Sequence, residues 1–246
     1  MRIELKKENT MITTILFDLD GTLLPMDNDE FTKGYFGLLV RKLAPYGYDK
    51  QELVPAVWAG TAAMVKNNGK CSNYKVFWKT FAGVLGDRVY ETKPVFDEFY
   101  SNEFNNAKAF CGADEKAAEA VKTAKKLGYR IALASNPLFP EEAQKARVKW
   151  AGVDPEAFEF IAAYENLSYC KPNPDYYRAL AEQLEVRPEE CLMVGNDVSE
   201  DMIAGDTGMN VFLLTDCLIN KEQKDISVYK KGSFDKLTEY LEYLKG

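Results

Sequence analysis

The stretch Met11-Ile12-Thr13-Thr14-Ile15-Leu16-Phe17-Asp18-Leu19-Asp20-Gly21-Thr22-Leu23 decides the fold. Its first seven residues read as a buried strand that stops where two carboxylates stand two residues apart. Alternate side chains of a strand share a face, so Asp18 and Asp20 point into one site while Leu19 packs the other way. Gly21 permits a sharp turn and a close approach of ligand to backbone, and Thr22 adds a hydroxyl and an N–H at the same place. Such a corner suits an oxyanion substrate, with one carboxylate attacking and the other moving protons.

The chain has 246 residues, 46% of them hydrophobic and 28% charged, which is enough for one full core and a second, smaller one. Its net charge of −7, with no Lys/Arg-rich face, argues against nucleic acid or an anionic membrane as a partner. No stretch approaches the roughly 18 apolar residues of a membrane span, and Met1 to Thr10 are polar and mixed in charge, so the sequence reads as cytoplasmic. Five scattered cysteines (Cys71, Cys111, Cys170, Cys191, Cys217) with no CxxC spacing read as free, packed thiols. Histidine is absent altogether, which removes the commonest general base, the commonest transition-metal ligand and every Ser-His or Cys-His pair. Proton transfer then falls to carboxylates, Lys, Tyr or water, and a metal would be held by oxygen, favouring a magnesium-like ion.

Downstream of the first strand, Asp114 to Leu127 reads as a helix, with acids in its first turn, Lys125 and Lys126 in its last and Gly128 as C-cap. It leads into a strand, Arg130 to Ala134. A crossover between parallel strands needs little more than its helix, so the surplus from about Pro25 to Ala109 reads as an inserted domain, with residues 1–24 and 110–246 as the core. The insert shows helical patterns near 28–44, 49–66, 73–85 and 94–106 and holds 15 of the 31 aromatics, the expected core of a small bundle or, for a few of them, a pocket roof. Beyond it the alternation resumes: a helix from about Pro140 to Trp150, a strand 160–163, a helix from Pro174 to Leu184, strands 191–194 and 210–214, and a closing helix with Phe234, Leu237, Leu241 and Leu244 on one face. The expected fold class is α/β, a Rossmann-like parallel sheet covered on both faces, with the ligand beyond the carboxyl ends of the strands.

Those ends carry Asp18 and Asp20, then Ser135-Asn136-Pro137, then Lys171 in the proline-stiffened Lys171-Pro172-Asn173-Pro174, and finally Asn196-Asp197 with Asp201. Taken together they resemble the haloacid dehalogenase-like hydrolases across essentially the whole chain. Asp18 to Leu23 looks like that family's motif I, Ser135-Asn136-Pro137 like motif II, Lys171 like motif III and Gly195-Asn196-Asp197 through Asp201 like motif IV. The resemblance implies a helical cap inserted after motif I, Asp18 as nucleophile forming an aspartyl-phosphate, and Asp20 as acid and base. It also implies Ser135 and Lys171 on the phosphate oxygens, with backbone N–H groups of Thr22 and Asn136 as further donors. Mg2+ would sit on Asp18, the Asp20 backbone carbonyl and a motif IV residue. Many relatives have Gly-Asp where this chain has Gly195-Asn196-Asp197, so the ligand is Asn196 or Asp197; the carboxylate favours Asp197 and makes Asp201 an outer or weak ligand.

The expected activity is a magnesium-dependent phosphatase acting on a small phosphorylated metabolite, as a monomer or homodimer. The acid at Asp20 separates it from the family's carbon–halogen hydrolases. A phosphomutase shares that acid and is the alternative enzyme, and a non-catalytic phosphometabolite-binding protein is the alternative of another class.

Overall fold

The computed structural model describes residues 11–245. The N-terminal decapeptide, read above as polar and mixed in charge, lies outside them. Among the described residues no helix is long and apolar enough to cross a membrane.

Six parallel strands form one sheet in the order β3-β2-β1-β4-β5-β6. They are β1 (Thr14–Phe17), β2 (Arg130–Leu133), β3 (Phe160–Ile161), β4 (Cys191–Gly195), β5 (Asn210–Leu214) and β6 (Lys230–Gly232). All four residues of β1 and all five of β4 are buried, as expected where a parallel sheet is covered on both faces. The chain builds outward from β1 to one edge, returns, and builds from β4 to the other. This places the topological switch point between β1 and β4, where ligands of such sheets sit.

Residues 28–110 contribute helices only: α1 (Asn28–Leu43), α2 (Lys50–Val65), α3 (Asn73–Leu85), α4 (Arg88–Ser101), short 3-10 turns at Ala44–Tyr46 and Glu103–Phe110. Asp27 starts α1 by accepting hydrogen bonds from the Asp29 and Glu30 N–H groups at 2.9 Å, which satisfies two orphan donors of the first turn. The way in and the way out of this helical unit touch: Met26 bridges Cys111, and the Gly112 N–H reaches the Pro25 carbonyl at 2.6 Å. A second contact lies at the start of α3, where the Asn73 and Tyr74 N–H groups bond the Leu167 and Tyr164 carbonyls at 2.9 and 2.6 Å. Aromatic rings fill the unit; Trp78, Phe81 and Phe96 meet edge to face at 5.5 to 5.7 Å.

The remaining helices are α5 (Glu115–Lys126), α6 (Glu141–Trp150), α7 (Pro174–Gln183) and α8 (Phe234–Tyr243). Three sequence expectations shift. The strand expected over 160–163 pairs only at Phe160 and Ile161. Pro94 lies inside α4, six residues after its start, and the chain expected to continue that helix to 106 is a 3-10 turn. The edge strand β6 has two exposed lysines and no apolar run, so no hydrophobic pattern marks it; charged edge residues of this kind protect an open edge from pairing with other chains.

Candidate active site

The loops leaving β1, β2 and β4 and the segment before α7 bring Asp18, Ser135, Asn196, Asp201 and Lys171 together. Lys171 is the pivot. Only 2% exposed, it donates to Asp18 Oδ1 at 2.8 Å and to Asp201 Oδ1 at 2.6 Å. Burial pulls its proton affinity down, but the two carboxylates outweigh that and hold the ammonium well above its usual range. Burial likewise raises the Asp201 carboxyl, against the pull of Lys171. A cation fixed between two acids thus orients the Asp18 oxygens without neutralising both.

Glycine makes this convergence sterically possible at two places. Gly195 ends β4, and a Cβ there would strike the Asp201 carboxylate. Gly21 has φ +76°, and a Cβ there would strike the Asn196 amide. Two tyrosines of α7 tie the loops from below: Tyr176 donates to the Ser135 carbonyl at 2.9 Å and Tyr177 to the Glu200 carbonyl at 2.6 Å.

The Thr22 hydroxyl lies 2.9 Å from both Asp18 Oδ2 and Asn196 Oδ1. It has one proton for two acceptors, so acceptor capacity is left over where these oxygens meet. Among the described residues no three His, Cys, Asp or Glu side chains cluster to hold a metal. The available donors are instead a carboxylate, an amide oxygen and backbone, which fits a small hard cation that keeps waters and takes substrate oxygens. The Thr22 N–H donates to the Leu19 carbonyl at 3.2 Å, so what Thr22 presents to the site is its hydroxyl rather than the backbone donor expected. Asp197 Oδ1 accepts the Ser199 and Glu200 N–H groups at 2.7 and 2.9 Å and thereby caps its own loop. Asp201, expected as an outer group, is the motif IV acid in direct contact with Lys171.

Two hydrogen-bonding atoms here are buried without a partner, Ser135 Oγ and Asn136 Oδ1. A buried hydroxyl left unpaired costs free energy unless a ligand completes it. The Asn136 amide nitrogen is directed at Glu200 Oε2, 3.3 Å away.

Asp20 faces a partner that the sequence analysis did not find. Arg147 of α6, 1% exposed, pairs with Asp20 Oδ1. Burial pushes its guanidinium down to about 10, with Asp18 acting in the opposite direction. Gln144 accepts from Arg147 at 3.0 Å and donates to the Ala162 carbonyl at 3.2 Å, anchoring the arginine to the end of β3. The rings of Phe139 and Phe31 lie 4.9 and 5.4 Å from the guanidinium. The signal was present in the sequence: Ala143, Arg147 and Trp150 share one helical face, so this arginine stands in an apolar stripe.

Comparison with known proteins agrees with this geometry. The sequence pattern of haloacid dehalogenase-like hydrolases matches residues 12–206. The chain is 24% identical over 194 residues to pyrophosphatase PpaX of Bacillus cereus (strain G9842), covering 79% of this chain and 78% of that one. Among solved structures, a HAD phosphatase from Thermococcus onnurineus superposes with a TM-score of 0.57 at 18% identity, over 94% of this chain and 98% of that one. A predicted phosphoglycolate phosphatase from Haemophilus somnus 129pt gives 0.54 at 19%, over 94% and 97%. The family pattern spans well over half of the chain, and the parallel sheet matches those of the solved structures, so this chain belongs to the haloacid dehalogenase-like hydrolase family.

Proposed function

We propose that the protein is a magnesium-dependent phosphatase that hydrolyses a small phosphorylated metabolite through an aspartyl-phosphate on Asp18. The observation that carries the reading is the buried Asp18–Lys171–Asp201 clamp beside an unpaired Ser135 hydroxyl. The clamp orients a nucleophilic carboxylate and presents a cation to an oxyanion, and Ser135 offers it a donor with no competing partner.

In the first step an Asp18 oxygen attacks phosphorus, the bond from phosphorus to the substrate oxygen breaks, and Asp20 gives that oxygen a proton. In the second, Asp20 takes a proton from water, the water oxygen attacks phosphorus, and the bond to Asp18 breaks to release inorganic phosphate and regenerate both acids. Lys171 and Ser135 hold the phosphoryl oxygens throughout. Arg147, on Asp20 Oδ1, keeps that carboxylate in place while its other oxygen moves the proton. Asp18, the Asp20 backbone carbonyl and Asn196 would hold Mg2+, which offsets the repulsion between an anionic nucleophile and an anionic substrate. Asp197, with one oxygen occupied by its own loop, is the weaker candidate for that position. Residues 25–109 act as the cap that closes over the reaction and excludes water.

The test is phosphate release from a panel of phosphate esters, with Mg2+ and with EDTA, by the wild type and Asp18→Asn. Release that needs the metal and vanishes in the variant is expected. Retention of more than about 1% of the wild-type rate by Asp18→Asn refutes Asp18 as nucleophile. Transfer of the phosphoryl group back to substrate without net release identifies a mutase instead.

A further inference from the structure

Asp20 has a second neighbourhood besides its pair with Arg147. It closes one end of a cavity of about 170 Å³ between the sheet and the helical unit. The floor comes from residues that directly follow the two phosphate loops: Met26 after Thr22, and Leu138 and Phe139 after Ser135. The roof is built from α1, α2 and α3, chiefly Phe36, Trp58 and Phe77. Asp20 joins this chamber to the phosphate loops, so the organic part of an ester whose leaving oxygen Asp20 protonates has this chamber beside it.

The chemistry of the wall is one-sided. Asp20 is the single charged residue among those lining the cavity. The three tyrosine hydroxyls at the wall are already engaged: Tyr35 and Tyr100 bond each other at 2.9 Å, and Tyr164 accepts from the Trp78 indole at 3.4 Å. The nearest cation, Arg147, is spent on Asp20 and faced by the Phe139 and Phe31 rings. A second phosphate or a carboxylate entering here would lose its water, meet no free cation and confront Asp20. An apolar group meets mostly rings and aliphatic chains, with Asn28, Thr32 and Thr61 as the neutral polar side chains besides the tyrosines. The volume also suits one: an apolar cavity of about 150 Å³ is dry and accepts a benzene ring.

We propose that the substrates are phosphomonoesters whose alcohol part is apolar and about the size of one aromatic ring, an aryl, benzyl or compact branched alkyl group. The assignment rests on the phosphatase reading above. It separates this chain from what the names of its relatives suggest, since pyrophosphate and phosphoglycolate each carry a second anion on the leaving side.

The experiment has two arms. The first compares kcat/KM for phenyl and benzyl phosphate with kcat/KM for pyrophosphate and phosphoglycolate. Burial of one ring supports a preference of about a hundredfold, and equal or faster turnover of either pyrophosphate or phosphoglycolate overturns the proposal. The second arm needs no turnover: calorimetric titration of the intact protein with benzyl alcohol. Saturable binding is expected, weakened at least about tenfold in Thr61→Trp, which fills the chamber, and binding that is absent or indifferent to the variant overturns the proposal. Should Thr61→Trp fail to fold, Trp58→Ala widens the chamber at its half-open rim, and a shift of preference toward naphthyl phosphate replaces the loss of binding as the expected result. Benzyl alcohol binding with no phosphate release from any ester defeats the phosphatase reading alone; release without aryl preference defeats the cavity assignment alone.

Discussion

Arg147→Met separates holding the fold together from holding Asp20. Burial takes the guanidinium from 12.5 down to about 10. At about 1.4 kcal/mol per pKa unit, keeping this charge out of water costs on the order of 3 kcal/mol. Methionine removes that cost and packs against Phe31 and Phe139 as a soft, flexible apolar chain. What is lost is the pair with Asp20, whose side chain is 31% exposed and is therefore rehydrated rather than stranded. The two effects oppose each other at similar size. The expected change in unfolding free energy is within about 1 kcal/mol of zero, a shift of roughly 2–4 °C or less in Tm. Catalysis has no such compensation, because a carboxylate free to rotate is seldom placed to deliver its proton. For an alkyl phosphate, whose leaving oxygen needs that proton, kcat should fall by about 30- to 100-fold. For p-nitrophenyl phosphate, whose leaving group departs as a stable anion, it should fall by less than about fivefold. The assay is kcat on both esters beside thermal unfolding of both proteins. Equal losses on the two esters, or a Tm drop beyond about 10 °C, would refute the reasoning and make Arg147 a structural residue only.

Further consequences follow from single contacts. Ser135→Ala removes a buried hydroxyl that has no partner, so stability should hold or rise by up to about 1 kcal/mol while inorganic phosphate binds about tenfold more weakly; unchanged affinity by calorimetry would remove Ser135 from the phosphate site. Gly195→Ala should displace Asp201 from Lys171, costing about 2–4 kcal/mol in urea unfolding and at least about tenfold in kcat, and wild-type behaviour would show that the loop yields freely. Burial raises the phenols of Tyr35, Tyr164, Tyr176 and Tyr177 and pushes the thiols of Cys170 and Cys191 up to about 12. The unfolded chain releases these protons from about pH 9 upward while the native state keeps them, so stability falls as pH rises. The loss grows with each step of pH above that, because all six groups act in the same direction. Circular dichroism should show cooperative unfolding between about pH 10 and 11.5, and an unchanged spectrum across that window would show that these groups ionise in place.

How far the sequence could be read depended on whether a residue's role is local. Asp18, Ser135 and Lys171 announce themselves because each follows a buried strand or a proline-stiffened turn, where a polar side chain has little packing reason to be. The strands β1, β2, β4 and β5 are legible as apolar runs, whereas β6 is two exposed lysines and a glycine and owes its place to pairing with β5. The α4 boundary was misplaced because Pro94 reads as a first-turn residue; the helix instead begins earlier, at Arg88. In the motif IV loop, sequence weighed Asn196 against Asp197 by ligand strength. The structure adds what sequence could not show, namely that Asp197 caps its own turn while Asn196 is brought against Thr22 by a glycine at position 21.

For Arg147 the apolar stripe signals burial but not the partner, for a reason that bears on the whole site. An arginine on a helix is ordinarily solvated, and nothing within α6 says that its neighbour will be Asp20, 127 positions earlier in the chain. That neighbour exists only because β1 and β2 pair in register and carry the ends of both motif loops to one edge. The same pairing sets the unpaired Ser135 hydroxyl at the start of a loop whose Leu138 and Phe139, three and four residues on, line the cavity. On the proposed reading one loop thus serves both halves of a substrate. Chemistry at the strand ends can be common to relatives under 25% identical because it needs only a few atoms at fixed strand positions. On the proposed reading the organic part of the substrate meets side chains from the helical unit instead, so likeness to a pyrophosphatase does not by itself assign the leaving group.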